Sequence, residues 1–103
     1  MMKFRRLYWV TEAVGADGTS EITGVFTSVP DLIEDGLDVH EKGPVGGRLR
    51  VSLLELDSYG KALARWDRES LSSLGSDLEP YVKSGEITRD EVSRLTEALN
   101  LKK

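Results

Sequence analysis

The chain has 103 residues, no cysteine, one histidine, and 18 acidic against 14 basic side chains, for a net charge of −4. That length suits a single domain and buries roughly two-thirds of the unfolded surface, so a core needs no help from metal or disulfide. The composition excludes a disulfide framework, a thiolate zinc site, a cysteine nucleophile and a cluster of histidine ligands, and 39% hydrophobic with 31% charged residues excludes wholesale disorder.

The start, Met-Met-Lys-Phe-Arg-Arg, is basic, but the apolar run behind it covers only residues 7–10 before Thr11 and Glu12. A signal peptide needs ~7–15 apolar residues and a spanning helix ~20. With the absence of cysteine, this predicts a cytoplasmic protein with no membrane contact. The net acidity counts against nucleic acid as the main partner.

Residues 4–14 read as a strand rich in aromatic and branched side chains. Its even positions Phe4, Tyr8, Val10 and Val14 form an apolar face interrupted by Arg6 and Glu12. The odd positions Arg5, Leu7, Trp9, Thr11 and Ala13 are mixed. Alternation identifies the strand, the even face is expected to be core, and apolar content on both faces predicts partial cover of the second. The cluster from Gly15 to Ser20, with Asp17-Gly18 at its centre, is a turn. The return strand, residues 21–28, places Ile22, Gly24 and Phe26 on one face and Thr23, Val25 and Thr27 on the other. This hairpin holds Phe4, Tyr8, Trp9 and Phe26, four of the chain's seven aromatics.

Ser28 caps a short helix, with Asp31 at capping-box spacing and Pro30 in the first turn, where its missing N–H costs nothing. Val29, Leu32 and Ile33 form its buried stripe, and Gly36 is expected to end it in a left-handed cap with Leu37 packing back. Residues 38–47, holding three of the ten glycines and the single histidine, read as a surface loop. In residues 48–57 the apolar positions Leu49, Val51 and Leu53 alternate with Arg48, Arg50 and Ser52, and then the phase slips to Leu54 and Leu56. A bulge near Leu53, or burial of both faces, would explain the slip.

Residues 61–67 read either as a strand with Ala62, Ala64 and Trp66 on one face or as a helix capped by Ser58, and the turn ending at Gly60 favours a hairpin. Leu71, Leu74, Leu78, Tyr81 and Val82 then repeat at helical spacing, with Gly75 and Pro80 breaking the run in two and Gly85 ending it. Thr88 and Glu91 form a capping box ahead of a last helix with the stripe Val92, Leu95, Ala98 and Leu99. The order β-β-α-β-β-α-α predicts one α+β domain, a four-stranded and mainly antiparallel sheet with helices packed on one face.

No motif has the spacing of a known mechanism. Gly43-Pro44-Val45-Gly46-Gly47 precedes a strand, whereas a phosphate cradle opens a helix and is followed by lysine. His40, between Asp38 and Glu41, has no third group to orient it as a base. Glu55 and Asp57, with Glu12 on a neighbouring strand, suit a solvated sheet edge better than paired acid–base chemistry. No nucleophile–base pair and no metal cluster is legible, so neither catalysis nor a cofactor is expected.

The basic residues bear more. Arg5 shares a face with Leu7 and Trp9, and Arg48 and Arg50 begin another strand; side by side they would make an arginine patch around a tryptophan. Such a patch suits a protein contact, because tryptophan and arginine are enriched at hot spots. It also suits a single-stranded nucleic acid, which stacks on aromatics. The plainer arrangement is Trp9 buried beneath a helix. The expectation is therefore a small interaction or regulatory domain without catalytic activity, contacting a protein partner or a second copy through Arg5, Leu7, Trp9, Arg48 and Arg50. The alternative is small-molecule or nucleic-acid binding by the same face together with the 43–47 loop.

Overall fold

Residues 6–37, 48–56, 62–67 and 70–101 are described by the computed structural model. Strands β1 (Leu7–Val14), β2 (Ser20–Phe26), β3 (Arg48–Glu55) and β4 (Ala62–Trp66) form one antiparallel sheet in the order β2-β1-β3-β4. Helix α1 (Val29–Asp31) runs on into a π-helical turn, Leu32–Gly36. After β4 come a 3₁₀ turn (Leu71–Ser73), α2 (Leu74–Asp77), α3 (Glu79–Lys83) and α4 (Arg89–Leu101). The α+β architecture with helices on one face is as the pattern of residues predicts, and residues 62–66 are strand.

The core is assembled from Trp9, Val51, Leu53 and Trp66 of the sheet and from Val29, Leu32, Leu74, Leu78, Ile87, Leu95 and Leu99 of the helical layer. At its centre Trp9 and Trp66 stack with ring centroids 6.3 Å apart and planes 27° from parallel. The Trp66 indole N–H donates to Asp77 Oδ2 at 2.8 Å, and Ser73 Oγ donates to the same oxygen at 2.8 Å. A buried indole N–H needs an acceptor, and this one fastens the α2 turn to the last strand.

The face assignment of β1 is the reverse of the expectation. The odd residues face the helices, with Trp9, Thr11 and Ala13 buried, while Tyr8, Val10 and Val14 stay partly exposed on the other face. Glu12 decides this. On the outer face the Glu12 carboxylate, though its side chain is only 15% exposed, has Arg50 Nη1 at 3.9 Å. Turned into the apolar core, an ionised carboxylate would be buried without a charge partner, which costs far more than burying a hydroxyl that finds partners. Thr11 finds them in Thr23 Oγ1 at 3.0 Å and the Gly24 carbonyl at 3.5 Å.

The faces of β2 also differ from the simple alternation. Thr11 pairs with Gly24 and Glu12 with Ile22, so the register shifts and Thr23 is the extra residue of a bulge. Beyond it Ile22 leaves the core side and joins Val25 on the outer face. In β3 the pairing with β1 runs unbroken from Leu7 with Glu55 to Val14 with Arg48. The expected irregularity near Leu53 belongs to the pairing with β4, which skips Leu63 between Leu53–Ala64 and Leu54–Ala62. Ser52 and Leu54 are buried as well as Val51 and Leu53, so both proposed causes of the phase slip operate.

Ser28 caps α1 through its hydroxyl, which accepts from the Asp31 N–H at 3.3 Å. Gly36, however, does not adopt a left-handed conformation; among the described glycines only Gly18 (φ 85°) and Gly85 (φ 84°) have positive φ. Gly36 is required for space. A Cβ there would lie 2.7 Å from Phe26 Cε2 and 3.0 Å from Leu32 Cδ1, and one on Gly24 would lie 2.5 Å from the same ring atom. Phe26 thus lies against two glycines, one on its own strand and one at the end of the π turn. The split of the next helical segment at Leu78, with Pro80 in the first turn of α3, follows the sequence. So does the Thr88 box, in which Thr88 N–H donates to Glu91 Oε1 at 2.9 Å and Glu91 N–H donates to Thr88 Oγ1 at 3.1 Å.

These contacts predict opposite outcomes for two glycine substitutions. Gly36→Ala forces the Phe26 ring to move and is expected to destabilise by about 1–3 kcal/mol. Gly75→Ala, with nothing nearer its new methyl than Thr96 Oγ1 at 3.7 Å, is expected to gain about 0.5–1 kcal/mol of helix propensity. Urea midpoints of the two variants check both signs.

Candidate interaction surface

The residues expected to form a binding patch are divided between the faces of the sheet. Trp9 is 2% exposed, and Leu7 packs partly buried against the same core. Arg50 pairs across the ladder with Glu12, and Arg48 with Val14, so both arginines project from the face opposite Trp9. Arg5, His40 and the 43–47 loop lie outside the described residues, as does Asp57. An exposed tryptophan framed by Arg48 and Arg50 is therefore not formed, for the reason that fixes β1: Glu12 takes the even residues, and the arginines opposite them, to the outside.

The face without helices has its own composition, readable in rows across the strands. One row runs Val25, Val10, Ser52, Arg65 and the next runs Ile22, Glu12, Arg50. Ile22 is 65% exposed and Val25 59%, with Tyr8, Val10 and Val14 partly exposed beside them. The β2 side is thus apolar and open. On the β3–β4 side Ser52 and Leu54 are buried, at 2% and 9% exposed. There Arg50 Nη1 approaches Glu12 Oε2 at 3.9 Å, and Arg65 donates from Nε to Ser52 Oγ at 3.3 Å. Neighbouring strands lie ~4.8 Å apart, so Val25 and Arg65 stand ~14 Å apart across the face.

Sequence reasoning missed Ile22 and Val25 because strict alternation puts them on opposite faces. Gly24 inside a strand was the available signal, since an interior glycine often marks a bulge.

The helical layer is acidic around α1. Asp31, Glu34 and Asp35 load α1 and the π turn, whose own residues include no base. A groove of about 480 Å³ between α1 and α4 has Val29, Ile33 and Ala98 on its floor and Glu34, Arg94 and Glu97 at its rim. Asp90 at this rim is bound by Arg94 Nε at 3.0 Å, and Glu91 belongs to the Thr88 box. Elsewhere, the Thr19 hydroxyl and N–H hold the Asp17 carboxyl below its ordinary range, and a 2.8 Å bond from Arg89 does the same for Glu79 while raising Arg89. Among the described residues no group of three histidines or carboxylates converges as a metal site would, and no helix is long and apolar enough to cross a membrane.

No family model, curated protein or solved structure matches the chain.

The difference between the faces predicts a matched pair of substitutions. Val25→Thr on the outer face is expected to change stability by less than about 0.5 kcal/mol. Val51→Thr, which puts a hydroxyl at a fully buried position, is expected to cost about 1–3 kcal/mol. Denaturant titration of the two variants against the parent reads the contrast directly.

Proposed function

We propose that this protein is a small interaction domain without catalytic chemistry of its own, and that the helix-free face of its sheet is the contact surface. The supporting observation is the side-by-side exposure of Ile22 and Val25 on a strand flanked by Val10. A monomeric domain this small has little reason to rotate Ile22 out of its core with a bulge, because an exposed apolar cluster invites association. Both edges resist simple strand addition. β2 is broken by the Thr23 bulge, and β4 runs over five of the described residues. Contact through the face, rather than through an edge, is the mode this geometry favours. A partner is then held by apolar burial on the β2 side, with the β3 and β4 arginines setting its orientation.

The test is a double charge insertion, Ile22→Asp with Val25→Asp. Both positions are open, so the near-UV circular dichroism of the stacked tryptophans is expected to be unchanged, while a protein that co-purifies with the parent chain from native lysate is lost. A partner retained equally by the variant, or a strictly monomeric parent from which nothing is captured, contradicts the proposal.

A further inference from the structure

From the groove between α1 and α4 we infer a second docking site, which takes a peptide segment of a protein partner with an arginine set among apolar residues. This site belongs to the helical layer and does not depend on the contact proposed for the helix-free face. Its volume of about 480 Å³ falls within the range of ligand-binding clefts. Val29 at the floor is buried, Ile33 and Ala98 are half-buried, and Pro30 beside them is exposed. Ile33 and Glu34 come from the π turn. Such turns are rare and recur at functional sites.

Charge narrows the choice of occupant. The lining sets Glu34, Asp90, Glu91 and Glu97 against a single base, Arg94. Two of these carboxylates are already engaged. Asp90 holds Arg94 Nε at 3.0 Å, and Glu91 accepts from the Thr88 N–H at 2.9 Å. Both also stand in the first turn of α4, where the helix dipole favours negative charge. Glu34 and Glu97 are left. Both are exposed, and neither has an ion pair or a hydrogen bond among the described residues. They come from the two walls of the groove, Glu34 from the π turn and Glu97 from α4. An apolar floor between two uncompensated carboxylates matches a side chain with an apolar stem and a cationic head, since such stems lie along apolar surface while the head stays in water. Arginine suits it best, because its planar fork of donors can serve two carboxylates at once. The sign of the rim disfavours nucleic acid and anionic lipid. A free small molecule is held by burying most of its surface, and with Pro30, Glu34, Arg94 and Glu97 all exposed this groove leaves one side of its occupant in water. A side chain carried on a peptide has the peptide's apolar neighbours to add contact.

The experiment uses the isotopically labelled full chain and a short synthetic peptide with one arginine between leucines, followed by amide chemical shifts and by anisotropy of a labelled peptide. Binding is expected, weakened by salt, with the largest shifts at Ile33, Glu34, Glu97 and Ala98. Glu34→Gln with Glu97→Gln is expected to weaken it about fivefold, as two exposed ion pairs together would. Both positions are exposed, so the melting temperature is expected to stay that of the parent. Citrulline, the neutral isostere, in place of the peptide's arginine is expected to weaken binding to the same degree, and serine in place of its leucines to weaken it as well. Equal affinity of the citrulline peptide, or of the double glutamine variant for the parent peptide, overturns recognition of the cation. Equal affinity of the serine peptide contradicts the apolar floor. Shifts centred on Ile22 and Val25 assign the peptide to the helix-free face, overturning the groove and leaving that reading standing. Tighter binding of free argininamide than of the peptide makes this a small-cation site and contradicts the inference. So does no binding of the peptide at all.

Discussion

The stack of Trp9 on Trp66, with the Trp66 indole N–H held by Asp77, is the contact on which the rest of the structure depends. Trp9 comes from the second strand in sheet order and Trp66 from the fourth, so their contact reaches across β3 and its buried Val51 and Leu53. Large aromatic side chains supply a major share of the burial available to a chain this short, because each removes ~150–250 Å² from water. The bond to Asp77 adds direction to that burial. It ties the break between α2 and α3 to the end of the sheet, and α4, through Leu95 and Leu99, closes over the same cluster. A polar bond at the margin of an apolar core gives the helical layer one position instead of several.

With both indoles turned inward, the polarity of the other face follows. Thr11 goes in because Thr23 and Gly24 satisfy it, and Glu12 goes out with Arg50. The Thr23 bulge then adds Ile22 to Val25 on the outside. On the inner side Phe26 lies against Gly24 and against Gly36 at the end of the π turn.

The elements of this fold were legible in the sequence where local chemistry decides them. Asp17-Gly18, Ser28 with Asp31, Pro80 and Thr88 with Glu91 each mark a boundary that the structure keeps, because turns and caps are made by neighbours. Leu49, Val51 and Leu53 also announced their face. What was not legible depends on which partner a residue meets. In β1 each face carries apolar residues, and the cost of Glu12 outweighs their number only once Thr11 is seen to have a partner on β2. The bulge that moves Ile22 is likewise a property of the pair of strands. Gly36 looked like a helix cap and is a space left for the ring of Phe26, ten residues earlier in the chain. For the candidate site this mattered more than for the fold. Arg48 and Arg50 were expected beside a tryptophan that lies on the other side of the sheet.

The central claim is that the odd face of β1 and its neighbours is core, and that the Val25 side of the sheet is open. A chain without cysteine allows this to be read with single introduced thiols. The decisive measurement is the native-state rate of maleimide labelling of Val25→Cys compared with Val51→Cys. The structure predicts that Val25→Cys reacts nearly as fast as in the denatured chain, whereas Val51→Cys is protected until the protein unfolds. Comparable rates at the two positions, or protection at Val25 with reaction at Val51, would contradict it.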